Sequence, residues 1–133
     1  MTMSHETICI LDDDPTLCDM VRILLETRDY RVLAATDGLE GLETIRDSRP
    51  DLVLLDVKMP GLNGYEILNR MRATPTIAHT PVIVITSLTN GSKTTDVEWK
   101  SRMGVADFVS KPFEPLELVE RIQAVLHPPV PKV

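Results

Sequence analysis

The chain has 133 residues, of which 43% are hydrophobic and 26% charged, with 14 basic against 20 acidic side chains for a net charge of −6. That is the size of one domain with enough apolar material for one core. The acidic balance, without a Lys/Arg cluster, excludes a domain that itself grips nucleic acid or an anionic membrane, and no stretch is long and apolar enough to span a bilayer.

The first apolar run, Thr7 to Leu11, is continuous rather than alternating, which predicts a strand buried on both faces. It leads directly into Asp12, Asp13 and Asp14, although an unpaired buried carboxylate costs several kcal/mol. Asp14 precedes Pro15 and the helical spacing of Leu17, Val21, Leu24 and Leu25, so it is expected to cap a helix that opens at Pro15. Cys9 in the strand and Cys18 in the helix have no evident route to disulfide geometry and are read as free thiols filling the core. Arg31 to Ala35 is the second predicted strand. Asp37, with Glu40 three residues later, resembles a capping box ahead of Leu39, Leu42 and Ile45.

Leu52 to Asp56 predicts the third strand, and Ile67, Leu68 and Met71 mark the helix after it. Val82 to Thr86 is the fourth strand. The stretch "TNGSKTTDVEWKSRMG" offers only Val97, Trp99 and Met103 in an uneven pattern, so the helix expected there has loose limits. Asn90-Gly91-Ser92 has the form of a glycosylation acceptor, and no charged leader precedes an apolar stretch, so a cytoplasmic location is expected and that motif is expected to be inert. Asp107 to Ser110 is the fifth strand, and Pro115 opens a helix carrying Leu118, Ile122 and Val125. The tail "HPPVPKV" holds three prolines and is expected to be a linker or frayed end, giving a domain over 1–126 and a tail over 127–133. Five strands alternating with helices predict right-handed crossovers and a single doubly wound α/β domain around a parallel sheet.

In such a sheet, functional groups gather outside the carboxyl ends of the strands. Asp12 and Asp13 follow the first run, Asp56 ends the third, Thr86 ends the fourth and Lys111 follows the fifth, so all are expected on one rim. At roughly 4 Å and an effective dielectric near 20, each like-charge pair costs about 4 kcal/mol, so clustered carboxylates call for a cation. Mg²⁺ fits best: it takes one or two carboxylates, keeps several waters and binds phosphoryl oxygens. Asp56 is an anion that needs no general base to attack phosphorus, while Lys111 and the Thr86 hydroxyl are suited to hold the remaining oxygens.

Four motifs then stand in order: "DDDP" at Asp12 to Pro15, "LVLLDVKMPGLNG" around Asp56, "VIVITS" containing Thr86 and Ser87, and "DFVSKPF" containing Phe108 and Lys111. From Ile8 to about Leu126 the chain resembles the receiver domains of bacterial two-component response regulators. The resemblance implies a flavodoxin-like, five-stranded sheet of order 2-1-3-4-5 with five helices. It also implies a phosphoryl group accepted on Asp56 from the phosphohistidine of a sensor histidine kinase or phosphotransfer protein, by a domain that catalyses only its own phosphorylation and dephosphorylation. Mg²⁺ would be held by Asp13, Asp56 and the backbone carbonyl of Lys58, with Asp12 acting through water. Thr86 and Phe108 match the switch pair, and Lys111-Pro112 matches a cis peptide bond. The output face would comprise the fourth helix, fifth strand and fifth helix, turned toward an output domain or target protein. A homodimer through that face is also considered; Met103 stands where winged-helix regulators commonly place an acid for their receiver dimer, so that particular dimer loses support although Arg121 is present.

The competing readings are weaker on the same residues. A haloacid-dehalogenase-type aspartyl-phosphate phosphatase would want an acid two residues after its nucleophile, where Lys58 stands. A calcium loop would need a glycine where Leu17 lies and a glutamate where Ile23 lies. A pseudo-receiver that only scaffolds partners would have no use for the acidic set together with Thr86 and Lys111.

Overall fold

The computed structural model describes residues 5–57, 59–87 and 104–128, with Thr86 and Ser87 described by backbone alone. In chain order these form β1 (Thr7–Leu11), α1 (Pro15–Glu26), β2 (Arg31–Ala35), α2 (Gly38–Ser48), β3 (Leu52–Asp56), α3 (Gly64–Ala73), β4 (Val82–Ser87), β5 (Asp107–Lys111) and a C-terminal helix (Pro115–Leu126). All strand pairings are parallel, and the order across the sheet is β2-β1-β3-β4-β5, as the family resemblance implies. The helix expected between β4 and β5, with Val97, Trp99 and Met103, lies outside the described residues, as do Lys58 and residues 129–133.

Period-two alternation divides each central strand between two apolar layers. Cys9, Leu11, Val53, Leu55, Val82 and Val84 pack against Leu42 and Ile45 of α2 and Ile67, Leu68 and Met71 of α3. Ile8, Ile10, Leu52, Leu54, Ile83 and Ile85 pack on the other side with Val21 and Leu25 of α1 and Leu118, Val119 and Ile122 of the C-terminal helix. The continuous apolar runs thus have the cause expected of them: both faces of β1, β3 and β4 are covered. Each such aliphatic side chain contributes roughly 1.5–3 kcal/mol on burial.

Helix starts follow the sequence signals. Asp14 accepts from the amides of Thr16 and Leu17 at 3.0 and 3.3 Å, and Asp37 accepts from those of Leu39 and Glu40 at 2.9 and 3.1 Å. Pro115 opens the C-terminal helix, while Glu114 before it makes no side-chain cap. Two strands run one residue further than predicted: β4 reaches Ser87 and β5 reaches Lys111, because those two residues continue the ladder as a pair. At the opposite end of the sheet, His127 Nε2 lies 2.7 Å from Glu6 Oε1, joining the end of the C-terminal helix to the start of β1. No described helix is long and apolar enough to cross a membrane.

Cys9 and Cys18 lie in opposite layers and are both free and buried, as the sequence suggested. Burial pushes the Cys9 thiol up to about 12 and the Cys18 thiol up to about 11. The unfolded chain therefore releases these protons before the folded one does. Their contribution to stability is complete below the 9.0 of an accessible thiol and falls as the pH rises through the folded values. Native protein treated with a thiol-specific disulfide reagent at pH 8 is expected to react only at the rate of unfolding, with both thiols reacting at once in denaturant. Fast native labelling of either cysteine would contradict this burial.

Candidate functional site

The connection leaving β1 runs to one edge of the sheet through α1, whereas β3 begins the run to the other edge, so the carboxyl ends of β1 and β3 bound the crevice where the strand order reverses. Asp12 continues β1 by donating its amide to the carbonyl of Ala35 at 3.1 Å. Its Oδ1 accepts from the Asp14 amide at 3.0 Å, and the Cys18 thiol donates to its carbonyl at 3.5 Å. These contacts shape the turn into α1 and leave the Asp12 carboxylate fully buried. Asp13, next in the chain, is exposed. Asp56 closes β3, a strand buried along its whole length, and is itself 6% exposed. After it, the Gly64 amide returns to the Val57 carbonyl at 2.9 Å, and Asn63 caps α3 by accepting from the Glu66 amide at 3.0 Å.

Carboxylate oxygens of Asp12, Asp13 and Asp56 lie within 4.8 Å of one another. From the far strand β5, Lys111 reaches along the rim to place Nζ 2.7 Å from Asp12 Oδ2 and 3.5 Å from Asp56 Oδ2. The bond that follows, Lys111-Pro112, is cis. Burial works to lower the Lys111 pKa, but the Asp12 and Asp56 carboxylates outweigh it and leave the pKa raised above 10.5. This lysine is therefore an ammonium at neutral pH. Its stabilising contribution is present below 10.5 and is lost only as the pH climbs through the folded value.

Among the described residues, the Lys111 ammonium meets two of the three grouped carboxylates, those of Asp12 and Asp56. Asp12 Oδ2 meets Lys111 at ion-pair distance without the angles of a hydrogen bond, and among the described residues no other donor aligns with this buried oxygen. Such a donor set, all hard oxygen with one buried atom held by charge alone, fits a hard divalent cation. Beside Asp13 a cleft of about 560 Å³ opens, lined also by Val57, Met59, Pro60, Asn63 and Tyr65.

The structure thus brings together Asp12, Asp13, Asp56 and Lys111 from the predicted rim. Thr86 pairs through its backbone with Ser110, one residue before Lys111. Its side chain, like the carbonyl of Lys58, lies outside the described residues. Phe108 is half-buried against the layer that holds α2 and α3. Sequence reasoning had not singled out Asn63 and Tyr65. The spacing of Asn63 and Glu66 is itself a capping signal that points to the cleft wall.

Residues 8–123 match the family described as response regulator receiver domain. The chain belongs to this family. It is 37% identical over 126 residues to the DNA-binding response regulator MtrA of Mycolicibacterium smegmatis, a match covering 95% of this chain and 53% of that protein. It is 35% identical over 119 residues to protein PilH of Pseudomonas aeruginosa, covering 90% of this chain and 96% of the relative. This receiver domain therefore spans about half the length of MtrA and nearly all of PilH. Chemotaxis response regulator CheY4 of Vibrio cholerae superposes with a TM-score of 0.83 at 28% identity, over 92% of this chain and 100% of that one. Receiver domains of response regulators are phosphorylation-dependent signalling switches of two-component systems, and this chain is one of them.

Removing the Lys111 ammonium would leave the buried Asp12 carboxylate without its counter-charge. Breaking a buried pair costs roughly 3–5 kcal/mol, and the partial exposure of Lys111 reduces that, so Lys111→Ala is expected to lose about 2 kcal/mol in metal-free urea titrations. Saturating Mg²⁺ should return part of the loss by supplying another positive charge. Asp13→Asn should raise metal-free stability slightly, since solvent already screens this exposed acid, and should weaken the stabilisation by Mg²⁺. Equal losses for Lys111→Ala with and without the ion would contradict a shared cation requirement.

Proposed function

We propose that the phosphoryl group is accepted on Asp56, from the phosphohistidine of a sensor histidine kinase or a phosphotransfer protein, in a Mg²⁺-dependent reaction. The observation that carries this reading is the Asp56 carboxylate at the β3 end, 3.5 Å from the Lys111 ammonium and grouped with two further acids. An Asp56 oxygen attacks phosphorus while the P–N bond breaks. Its electron pair stays on the imidazole nitrogen, and the ring, protonated on its other nitrogen, leaves neutral. Hydrolysis later breaks the new P–O bond when water attacks phosphorus, which restores the carboxylate and releases phosphate. The domain thus catalyses only its own phosphorylation and dephosphorylation.

Lys111 supplies a fixed positive charge to a phosphoryl oxygen in a site that Asp12 holds in place. Asp13, Asp56 and the Lys58 carbonyl are the residues that would hold Mg²⁺, with Asp12 acting through water. When bound there, the ion would supply positive charge to offset that of the carboxylates and the incoming phosphoryl group. Thr86 takes the role of the hydroxyl that moves toward the phosphoryl group, and Phe108 that of the ring that turns inward. The change is read on the face formed by the fourth helix, β5 and the C-terminal helix, the fifth in this reading.

On that face Arg121 pairs with Asp107 at 2.8 Å and approaches Glu117 at 3.4 Å, so its charge is met within the chain. The face is proposed to meet an output domain or a separate target protein in the cytoplasm, with residues 127–133 as tail or linker; contact between two copies through it is the oligomeric alternative. Nucleic acid would be engaged only by an attached or partner module.

Incubation with acetyl phosphate and Mg²⁺, followed by intact mass, is expected to show one labile phosphoryl group on the wild type. Asp56→Asn should acquire none, nor should the wild type with chelator. Equal phosphorylation of Asp56→Asn would overturn the assignment. A scaffold would acquire none in any form, and a phosphatase would turn over phosphorylated substrates repeatedly.

A further inference from the structure

The first turn of α2 and the loop that follows Asp56 approach more closely than a side chain would allow. An ideal Cβ on Gly38 would lie 2.1 Å from the carbonyl oxygen of Leu62, 2.7 Å from its amide nitrogen and 2.9 Å from its carbonyl carbon. These are backbone atoms, which cannot swing aside as the tip of a side chain can. Gly38 is the first residue of α2 and does not occupy the left-handed region. Helix propensity alone would favour alanine there. Close approach, not backbone conformation, is therefore what calls for glycine.

Further contacts hold the same loop. The Gly38 amide donates to the Pro60 carbonyl at 2.9 Å. Gly61 has φ +84 and turns beside Asp37, whose Oδ2 would be 3.1 Å from a Cβ placed there. At the far end, a Cβ on Gly64 would meet the carbonyl oxygen of Asp56 itself at 2.9 Å. The gripped segment carries Met59, Pro60 and Asn63, which line the cleft beside Asp13.

We propose that Gly38 is a positioning residue for phosphoryl acceptance: its missing Cβ lets α2 clamp the backbone of Leu62 and so sets the loop that shapes the approach to Asp56. The inference rests on Asp56 being the acceptor. A side chain at position 38 would drive the loop away from α2 by an ångström or more, and misplacement on that scale is enough to slow a positioned reaction on the order of tenfold to a hundredfold.

The test compares Gly38→Ala with Leu39→Ala under conditions where both are folded by circular dichroism. Leu39 is the next residue of the same helix and is exposed, so shortening it places nothing against the loop. The initial rate of phosphorylation by acetyl phosphate with Mg²⁺ is expected to fall about tenfold or more in Gly38→Ala and to stay within about twofold of wild type in Leu39→Ala. Folded Gly38→Ala that reacts at the wild-type rate, with only its urea midpoint changed, would make this glycine merely structural and overturn the proposal.

A second measurement on the wild type covers the case in which Gly38→Ala does not fold. Coupling between two sites is reciprocal. The Gly38 amide should therefore gain protection from hydrogen exchange when beryllofluoride and Mg²⁺ occupy the Asp56 site. Unchanged protection with the mimic bound would also overturn the proposal. Failure of the underlying reading has a different signature: wild type and Asp56→Asn would then be phosphorylated alike, or neither at all.

Discussion

A fully buried carboxylate at the end of a central strand is the constraint on which the rest of the site depends. Asp12 has no access to solvent, and the cation that answers it comes from Lys111 on β5, with β3 and β4 standing between the two strands in the sheet. One ion pair therefore ties the first strand to the last along the carboxyl rim, directly over the end of β3. Asp56 sits under that tie, 3.5 Å from the same ammonium. The lysine serves two acids at once, so any group added to Asp56 must share it with Asp12. The charge at the end of the middle strand is in this way tied to the edge strand.

Much of this arrangement can be read in the sequence because the forces that create it are local or periodic. Continuous apolar runs locate strands covered on both faces, and the acids and the lysine at their ends fall on one rim once the strands are parallel. Asp14 and Asp37 cap helices because their side chains reach amides only two or three residues ahead. The order of the strands came from resemblance and not from pattern, since apolar periodicity is silent about which strand lies beside which. The choice of Asp12 as the closest partner of Lys111 was hidden for a related reason. It depends on the separation of two residues 99 positions apart in the chain, and composition carries no measure of that separation.

Gly38 shows the other limit. In the sequence it is an ordinary helix-start residue after a capping aspartate, and its neighbour Leu62 looks like one more apolar residue in a turn. Only in three dimensions does the carbonyl of Leu62 occupy the space where a Cβ would stand. Asn63 was more accessible, since Glu66 follows it at capping distance. The contrast is physical: a cap is written within one turn of helix, whereas a backbone-to-backbone contact between elements leaves no periodic mark.

The contact between Glu6 and His127 gives the domain a polarity. Glu6 precedes β1 and His127 follows the C-terminal helix, so the two ends of the described fold stand side by side beneath the sheet while the acidic cluster occupies the opposite rim. Polypeptide joined at either end would leave from the same pole. A domain built this way can be spliced into a host chain at a single point, without prising the host's flanking segments apart, and its chemistry still faces outward. Such a plug-in geometry suits a module used in proteins of different lengths.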